Sequence, residues 1–384
     1  MTNGPHMKSG FPWDADRAGR MAYRALLFLV LLFCLASFIS SLTGDWKNGG
    51  SDFRQGDWLI HMHGGPVRRG VVGEVFLWLS DVTAVSPVAV VIATQAVLGL
   101  ALLVVMARVL WRLPQDAMSA LLFLSPAFSL VFWCAEHEAT FRKEILGALA
   151  LFCALGALQK QKLWLYHLSG ALMVLSVWAH EAMAFLLPVF MAISWAVLRS
   201  REDIGRPTRP VLITTGIVLL LGGAGFCFAL VFRNVDNVAQ LCEPLLQRDV
   251  PETFCAGAIS WAAAEMKDHL ALLHTARSER NMLYFGLGAV LWSLPYAFFV
   301  ADVRPVRRGL FLILCGVVPI LPLYFVAIDW GRWLSLQAFC LTVLFIAATH
   351  VGWLRRNSGG RWIVTLLCLI IALRWHPDYL TGLP

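Results

Sequence analysis

The sequence predicts an all-α polytopic membrane protein, with about eleven transmembrane helices. Of its 384 residues, 59% are hydrophobic and 14% are charged, and the mean hydropathy is +0.69. One soluble core cannot bury so much apolar surface, so the surplus must face lipid. A helix rises about 1.5 Å per residue, and the hydrocarbon layer is about 30 Å thick. On that basis we place spans at 22–43, 86–108, 117–135, 144–159, 163–180, 182–199, 211–232, 283–301, 309–327, 333–351 and 361–375.

The segments between these spans complete the expected architecture. Residues 70–80 are apolar but too short to cross, which predicts a re-entrant or interfacial helix in the first outer loop. We treat 1–384 as a single transmembrane domain, with a subdivision near the charged, proline-bearing linker 199–210 left open.

The long connection of residues 233–282 is expected to lie on the extracytoplasmic side and to carry an amphipathic helix within "AISWAAAEMKDHLALLH". That helix could be a plain structural connection or a lid over a site. Cys242 and Cys255 share the loop, where oxidation can occur, so we expect a disulfide between them.

Positive charge sets the expected orientation. With the N-terminus in the cytoplasm, every cytoplasmic segment is basic, as the positive-inside rule requires. The net charge of +7 then reflects topology and attraction to anionic membrane lipids, and it gives no indication of nucleic-acid binding. The basic residues concerned are Lys8, Arg17, Arg20, Arg24, Arg108, Arg112, Lys160 and Lys162, with those of 199–209, 304–308 and 355–361.

The polar residues that topology does not explain collect on the opposite, outer side. They lie in 51–74, 135–144, 179–181, 328–333 and 374–379, several of them at span ends. Charge at such a position is costly unless it is paired or faces a wet cavity. Any one of these clusters could be a solvated loop or a structural salt bridge. Because several segments share the pattern, we expect an outward-opening polar site.

The residue types in these segments favour an anionic ligand. Arg68 and Arg69 stand in the glycine-rich stretch "GGPVRRGVVGE", where a guanidinium could grip a phosphate at short range. A structural ion pair with Glu74 is the alternative role for these arginines. Trp330 and Trp333 flank Arg332 and could stack on a sugar ring. The residues expected to bind substrate are His61, His63, Arg68, Arg69, Arg142, Lys143, His180, Glu181, Asp329 and Arg332, and the candidate catalytic carboxylates are Asp57, Glu74 and Glu138.

Two well-known cofactor-binding motifs are absent from the sequence. The stretches "HEATF" (137–141) and "HEAMA" (180–184) lack the second histidine of a zincin helix, and no P-loop is present. We therefore predict no firm cofactor. A divalent metal could still be held by histidines from separate segments, namely His61, His63, His137 and His180.

The span layout, the acidic "GDWLIH" in the first outer loop and the short helix after it resemble the GT-C class of integral membrane glycosyltransferases. They are also similar to bacterial exopolysaccharide and O-antigen polymerase-like proteins. The resemblance implies a multi-pass enzyme of the bacterial cytoplasmic membrane with an extracytoplasmic active site. It would move a sugar from a polyprenyl-phosphate-linked donor to a glycan or lipid acceptor in cell-surface glycan synthesis, with Asp57 as the base.

Two other functions remain open from the sequence. A transporter or lipid flippase could use Glu138, His180 and Glu181 as a proton relay. An acyl- or phosphotransferase on the same face could use His137 or His180 as its base.

Overall fold

The computed structural model describes residues 15–124, 140–233, 238–264, 266–277, 279–354, 362, 363, 365, 366 and 370. Within these residues every regular element is a helix, and the extended pairing is a single bridge between Val303 and Leu354. The all-α class is therefore confirmed. The α-helices are α1 Ala15–Asn48, α2 Gly70–Thr83, α3 Pro87–Leu110, α4 Ala117–Leu124, α5 Glu144–Lys160, α6 Leu163–Ala179, α7 Leu187–Glu202, α8 Arg209–Val231, α9 Val238–Leu246, α10 Thr253–Ala256, α11 Ala258–Ala263, α12 Met266–Ala276, α13 Glu279–Asp302, α14 Val306–Val317 and α15 Trp330–His350.

Among the described residues, seven helices are long and apolar enough to cross a membrane. They are Arg17–Asn48, Pro87–Leu110, Glu181–Glu202, Arg209–Val231, Met282–Asp302, Val306–Phe325 and Trp330–His350. The chain is a membrane protein by this measure. The third begins with a 3₁₀ turn, Glu181–Leu186 before α7, and the sixth ends with one, Val318–Phe325 after α14. Large apolar side chains on the outside of the bundle, such as Phe28, Leu220 and Leu283, are well exposed, as expected for contact with lipid.

The remaining predicted spans are not settled by these helices. Residues 144–159 and 163–180 form α5 and α6, apolar helices of 17 residues each. Residues 117–135 are described only as far as α4, and most of 361–375 lies outside the described residues. The total of eleven spans therefore stays a prediction.

Helices α5 and α15 form the centre of the bundle. Both are buried along almost their whole length, and they pack against each other and against α7. Helices α3 and α6 also pack on α5, α14 packs on α15, and α1 and α8 lie further out. Because α5 and α15 face protein on all sides, the charged residues at their N-termini are held inside the bundle.

The expected short helix between the first two long helices is α2, and its glycines explain its position. A Cβ on Gly73 would collide with the backbone carbonyl of Ile60, and one on Gly70 would collide with the side chain of Met62. The absence of side chains at these two positions lets α2 lie directly against residues 60–62. Whether α2 lies in the membrane interface stays a prediction.

The connection 233–282 contains several short helices, α9 to α12, where the sequence suggested one amphipathic helix. The expected disulfide between Cys242 and Cys255 is present, with Cα atoms 5.6 Å apart. It joins α9 to α10. Its neighbour Leu241 accepts a hydrogen bond from His61 Nε2 at 2.8 Å, which ties this connection to the first one.

Candidate anion-binding site at one end of the bundle

Charged residues from three distant parts of the sequence meet at one end of the bundle. Arg69 donates to both oxygens of Glu181, at 2.8 Å from Nε and 2.6 Å from Nη2, and its Nη1 lies 3.4 Å from Asp57 Oδ1. Arg68 reaches the same Glu181 carboxylate at 3.4 Å. Lys143 is fully buried and donates to the Arg69 carbonyl oxygen at 3.3 Å. We call this set, Asp57, Arg68, Arg69, Lys143 and Glu181, the arginine cluster.

A second group adjoins it at the start of α15. Arg332 pairs with Glu144 and with Asp329, the latter at 3.2 Å, and its Nη2 lies 3.4 Å from His180 Nε2. The two groups are continuous, because Lys143 precedes Glu144 and His180 precedes Glu181 in the chain. His180 Nδ1 accepts from the Ala182 backbone N–H at 3.2 Å. Because Nδ1 accepts this hydrogen bond, it carries no proton, and the His180 ring is neutral.

Three helix N-termini point into this network. Arg69 directly precedes α2, Glu144 is the first residue of α5, and Arg332 lies in the first turn of α15. The N-terminus of a helix carries a partial positive charge and unpaired N–H groups, which favour a bound anion. Together with the arginines and Lys143, they offset the negative charge of the four carboxylates that are present.

The loop that carries Arg142 and Lys143 is held by two buried side chains. Trp58 Nε1 and Gln95 Nε2 both donate to the Phe141 carbonyl oxygen, at 2.9 and 3.0 Å. Phe141 has a φ of +59° and Arg69 a φ of +66°, a left-handed conformation that is uncommon for residues other than glycine. Such strained positions persist when the surroundings fix them, and they concentrate at functional sites.

Asp57 is the carboxylate that most resembles a reactive group. Its side chain is 4% exposed, and its Oδ2 atom accepts no hydrogen bond from any residue that the structure describes. Burial alone raises the pKa of Asp57, but the positive charges of Lys143, Arg69 and Arg142 outweigh burial and hold it below its usual range. Asp57 is therefore ionised, and one of its oxygens is buried without a hydrogen-bond donor among the described residues.

The surroundings of Asp57 favour its charged form, whereas the surroundings of Lys143 favour its neutral form. Burial lowers the pKa of Lys143 to about 8, although the nearby Asp57 carboxylate favours the charged form. Lys143 therefore carries its charge at neutral pH and is close to losing it.

A polar support beneath the arginine cluster was not identified from the sequence. Arg54 pairs with the Asp45 carboxylate and donates to Ser41 at 2.6 Å, and Gln55 Nε2 bridges Asp45 and Gln95 at 2.9 and 2.7 Å. Gln95 lies in the middle of the apolar helix α3. The sequence did contain a signal for this support, because an amide side chain such as Gln95 is unusual within a predicted span.

Most of the predicted site residues come together, and some do not. Glu74 lies apart from Asp57: it accepts from the Met62 backbone N–H and contacts His63 Nδ1 at 3.2 Å. The suggested pairing of Arg68 or Arg69 with Glu74 is replaced by pairing with Glu181. Glu138, with His137, lies outside the described residues.

Two expectations about local chemistry need correction. Gly70 and Gly73 make room for the chain at residues 60–62, where the sequence suggested room for an anion. Trp330 and Trp333 are each 3% exposed, with Trp330 packed on Phe285 at 5.3 Å between ring centroids, so neither presents a free face to a sugar. Arg142 is 9% exposed and lies over the Phe53 ring at 5.9 Å.

Comparison with known proteins gives no match: no family model, no curated protein and no solved structure is significantly similar to this chain.

Proposed function

We propose that the protein is a membrane glycosyltransferase that moves a sugar from a polyprenyl-phosphate-linked donor to a glycan or lipid acceptor on the extracytoplasmic face. The observation that carries this proposal is the ionised Asp57 of the arginine cluster, whose buried Oδ2 accepts no hydrogen bond from any described residue. A carboxylate in that state can take a proton from an acceptor hydroxyl. The cations beside it can stabilise a phosphate leaving group.

Arg68 is the cation best placed to receive the donor phosphate. Its contact to Glu181 is long, at 3.4 Å, and its Nε donates to no described residue. Its side chain is still 17% exposed, so it can turn toward an incoming ligand. Glu181 then keeps its two hydrogen bonds from Arg69. Arg69, in contrast, is committed to Glu181 and Asp57 and serves to position them.

The reaction proceeds in one displacement. The acceptor hydroxyl gives its proton to Asp57 Oδ2, and its oxygen forms a bond with the anomeric carbon of the donor sugar. The bond between that carbon and the phosphate oxygen breaks, and the electron pair leaves with polyprenyl phosphate. Arg68, Lys143 and the N-terminus of α2 stabilise the charge on that phosphate.

The low pKa of Asp57 makes it a weak base before the donor binds. A bound phosphate partly offsets the positive charge of Lys143, and this weakens the field that holds the pKa of Asp57 down. The base therefore strengthens when the donor is in place, which limits unproductive proton uptake in its absence.

The position of the charges supports a transferase over the alternative transporter or flippase. Carriers place ionisable residues near the middle of broken helices. In the described residues, the charges of both groups lie in loops or in the first turns of α2, α5 and α15. This is where a headgroup lying at the membrane surface can be reached.

The test uses the full-length protein in lipid nanodiscs with a polyprenyl phosphate as the binding probe and the corresponding uncharged polyprenol as the chemical control. We expect Arg68→Ala to weaken binding of polyprenyl phosphate by about tenfold or more, the loss of one charge-assisted contact. Arg248→Ala is the matched control, because Arg248 pairs with the exposed Asp81 outside the arginine cluster.

Turnover is followed as release of radiolabelled sugar from the polyprenyl-phosphate-linked donor. Asp57→Asn should keep binding and lose about 10²- to 10⁴-fold in turnover, while Asp81→Asn keeps both. Equal binding of phosphate and polyprenol, or full turnover in Asp57→Asn, would overturn the proposal.

A further inference from the structure

A second cluster of ligand-type side chains, one buried and two partly exposed, lies in the same connection, apart from the arginine cluster. His61 and His63 lie in the turn before α2, and Glu74 lies in its second turn. One ligand atom from each residue lies within 4.8 Å of the other two. Two imidazoles and a carboxylate at this spacing are a ligand set for a transition metal ion.

His61 is already held in the orientation that a metal ligand needs. Its Nε2 hydrogen-bonds the Leu241 carbonyl at 2.8 Å, and since a carbonyl can only accept, Nε2 carries the proton. The lone pair is then on Nδ1, where the weak partner is the His63 backbone N–H at 3.2 Å. Metal-binding histidines characteristically donate their other N–H to a carbonyl or carboxylate in this way.

His63 and Glu74 supply the other two positions. His63 Nδ1 and Glu74 Oε1 are 3.2 Å apart, close to the separation of about 3.3 Å between two ligands of a tetrahedral ion bound at about 2.0–2.1 Å. The side chains are 42% and 31% exposed, so both can shift toward the ion. The Glu74 carboxylate is also held by the Met62 backbone N–H, which orients it between the two histidines.

We infer that His61 Nδ1, an imidazole nitrogen of His63 and a carboxylate oxygen of Glu74 bind a divalent transition metal ion of the Zn²⁺ type. Water fills the fourth position, which faces solvent. Two imidazole ligands favour such an ion over Mg²⁺ or Ca²⁺, which prefer oxygen ligands throughout. The ion joins the turn at residues 61–63 to α2, the helix that Arg69 precedes.

The inference concerns metal binding and does not depend on the transferase reaction. The test uses full-length protein purified in detergent without a polyhistidine tag, loaded with Zn²⁺ and dialysed. Metal content is then measured by mass spectrometry and affinity by competition with a chromogenic chelator. Co²⁺ replacement adds a coordination readout, because a four-coordinate site gives a stronger visible absorption than the hexaaqua ion.

We expect one equivalent of Zn²⁺ in the wild type and an affinity lower by about tenfold or more in His63→Ala and in Glu74→Gln. These two residues are chosen because both are partly exposed and their replacement leaves the core intact, unlike that of buried His61. His274→Ala, an exposed histidine on α12, is the matched control. Less than stoichiometric metal in the wild type, or the same affinity in His63→Ala, Glu74→Gln and His274→Ala, overturns the inference.

Discussion

Replacement of Gly73 by alanine tests how the arginine cluster is positioned. The added Cβ would lie well inside van der Waals contact distance of the Ile60 carbonyl oxygen, and 3.1 Å from the His61 backbone nitrogen. Both atoms are backbone, so no side chain can rotate away. Normal contact requires α2 and residues 60–61 to separate by roughly 1 Å.

The cost of that separation follows from overpacking. Forcing one extra methyl into a packed contact costs about 1–3 kcal/mol. The movement also displaces Arg69 from Glu181, where the two hydrogen bonds are 2.6 and 2.8 Å. We therefore expect Gly73→Ala to lower both the apparent melting temperature and the affinity for polyprenyl phosphate.

The matched control is Gly216→Ala in α8, where a Cβ meets nothing within 4 Å. An alanine in a helix interior is favoured over glycine by about 0.5–1 kcal/mol, so this variant should melt at the same temperature or higher. Melting is followed by intrinsic tryptophan fluorescence in detergent. If Gly73→Ala melts like Gly216→Ala, the close approach of α2 to residues 60–62 is not what fixes Arg69, and the reasoning is refuted.

Three further outcomes are expected. The folded-state pKa of Asp57 lies below its ordinary value, so its stabilising contribution is present at neutral pH and is lost as the pH falls below about 5. The melting temperature of the wild type should therefore decrease with acid more steeply than that of Asp57→Asn. Equal slopes for the two proteins would contradict this. Lys143→Met should destabilise by about 3–5 kcal/mol, since it removes a buried cation beside Asp57, and adding Asp57→Asn should recover part of the loss in a double-mutant cycle of melting curves. Reduction of the Cys242–Cys255 disulfide, whose cysteines are 13 residues apart, should lower the stability of the folded state by about 3 kcal/mol and expose α9 and α10 to limited proteolysis. A cleavage pattern that reductant does not change would count against a role for the disulfide in holding these helices.

The sequence predicted the helical class, the long apolar spans and much of the charged network, because each depends on local composition. Runs of apolar residues identify spans, and a charge at a span end stands out wherever it is placed. The disulfide was also predictable, since both cysteines lie in one polar connection.

Partner choice within the network was harder to predict, because it depends on contacts between distant segments. Arg69 pairs with Glu181, 112 positions away, and leaves nearby Glu74 to His63. The roles of Gly70 and Gly73 depend on the path of residues 60–62, which no local pattern specifies. Gln95 was overlooked for a different reason: a single amide changes the hydropathy of a 24-residue helix very little.

The burial of α5 has a consequence for the order in which the protein assembles. Glu144 is the first residue of this helix, and its cationic partner Arg332 comes far later in the chain. Arg332 also contacts His180, which is 152 positions before it. During synthesis, Glu144 therefore has no access to this partner until α15 has been made. The network closes only when the ribosome has passed Arg332, so chain truncations before that point should leave the earlier helices inserted and the buried charges accessible to water.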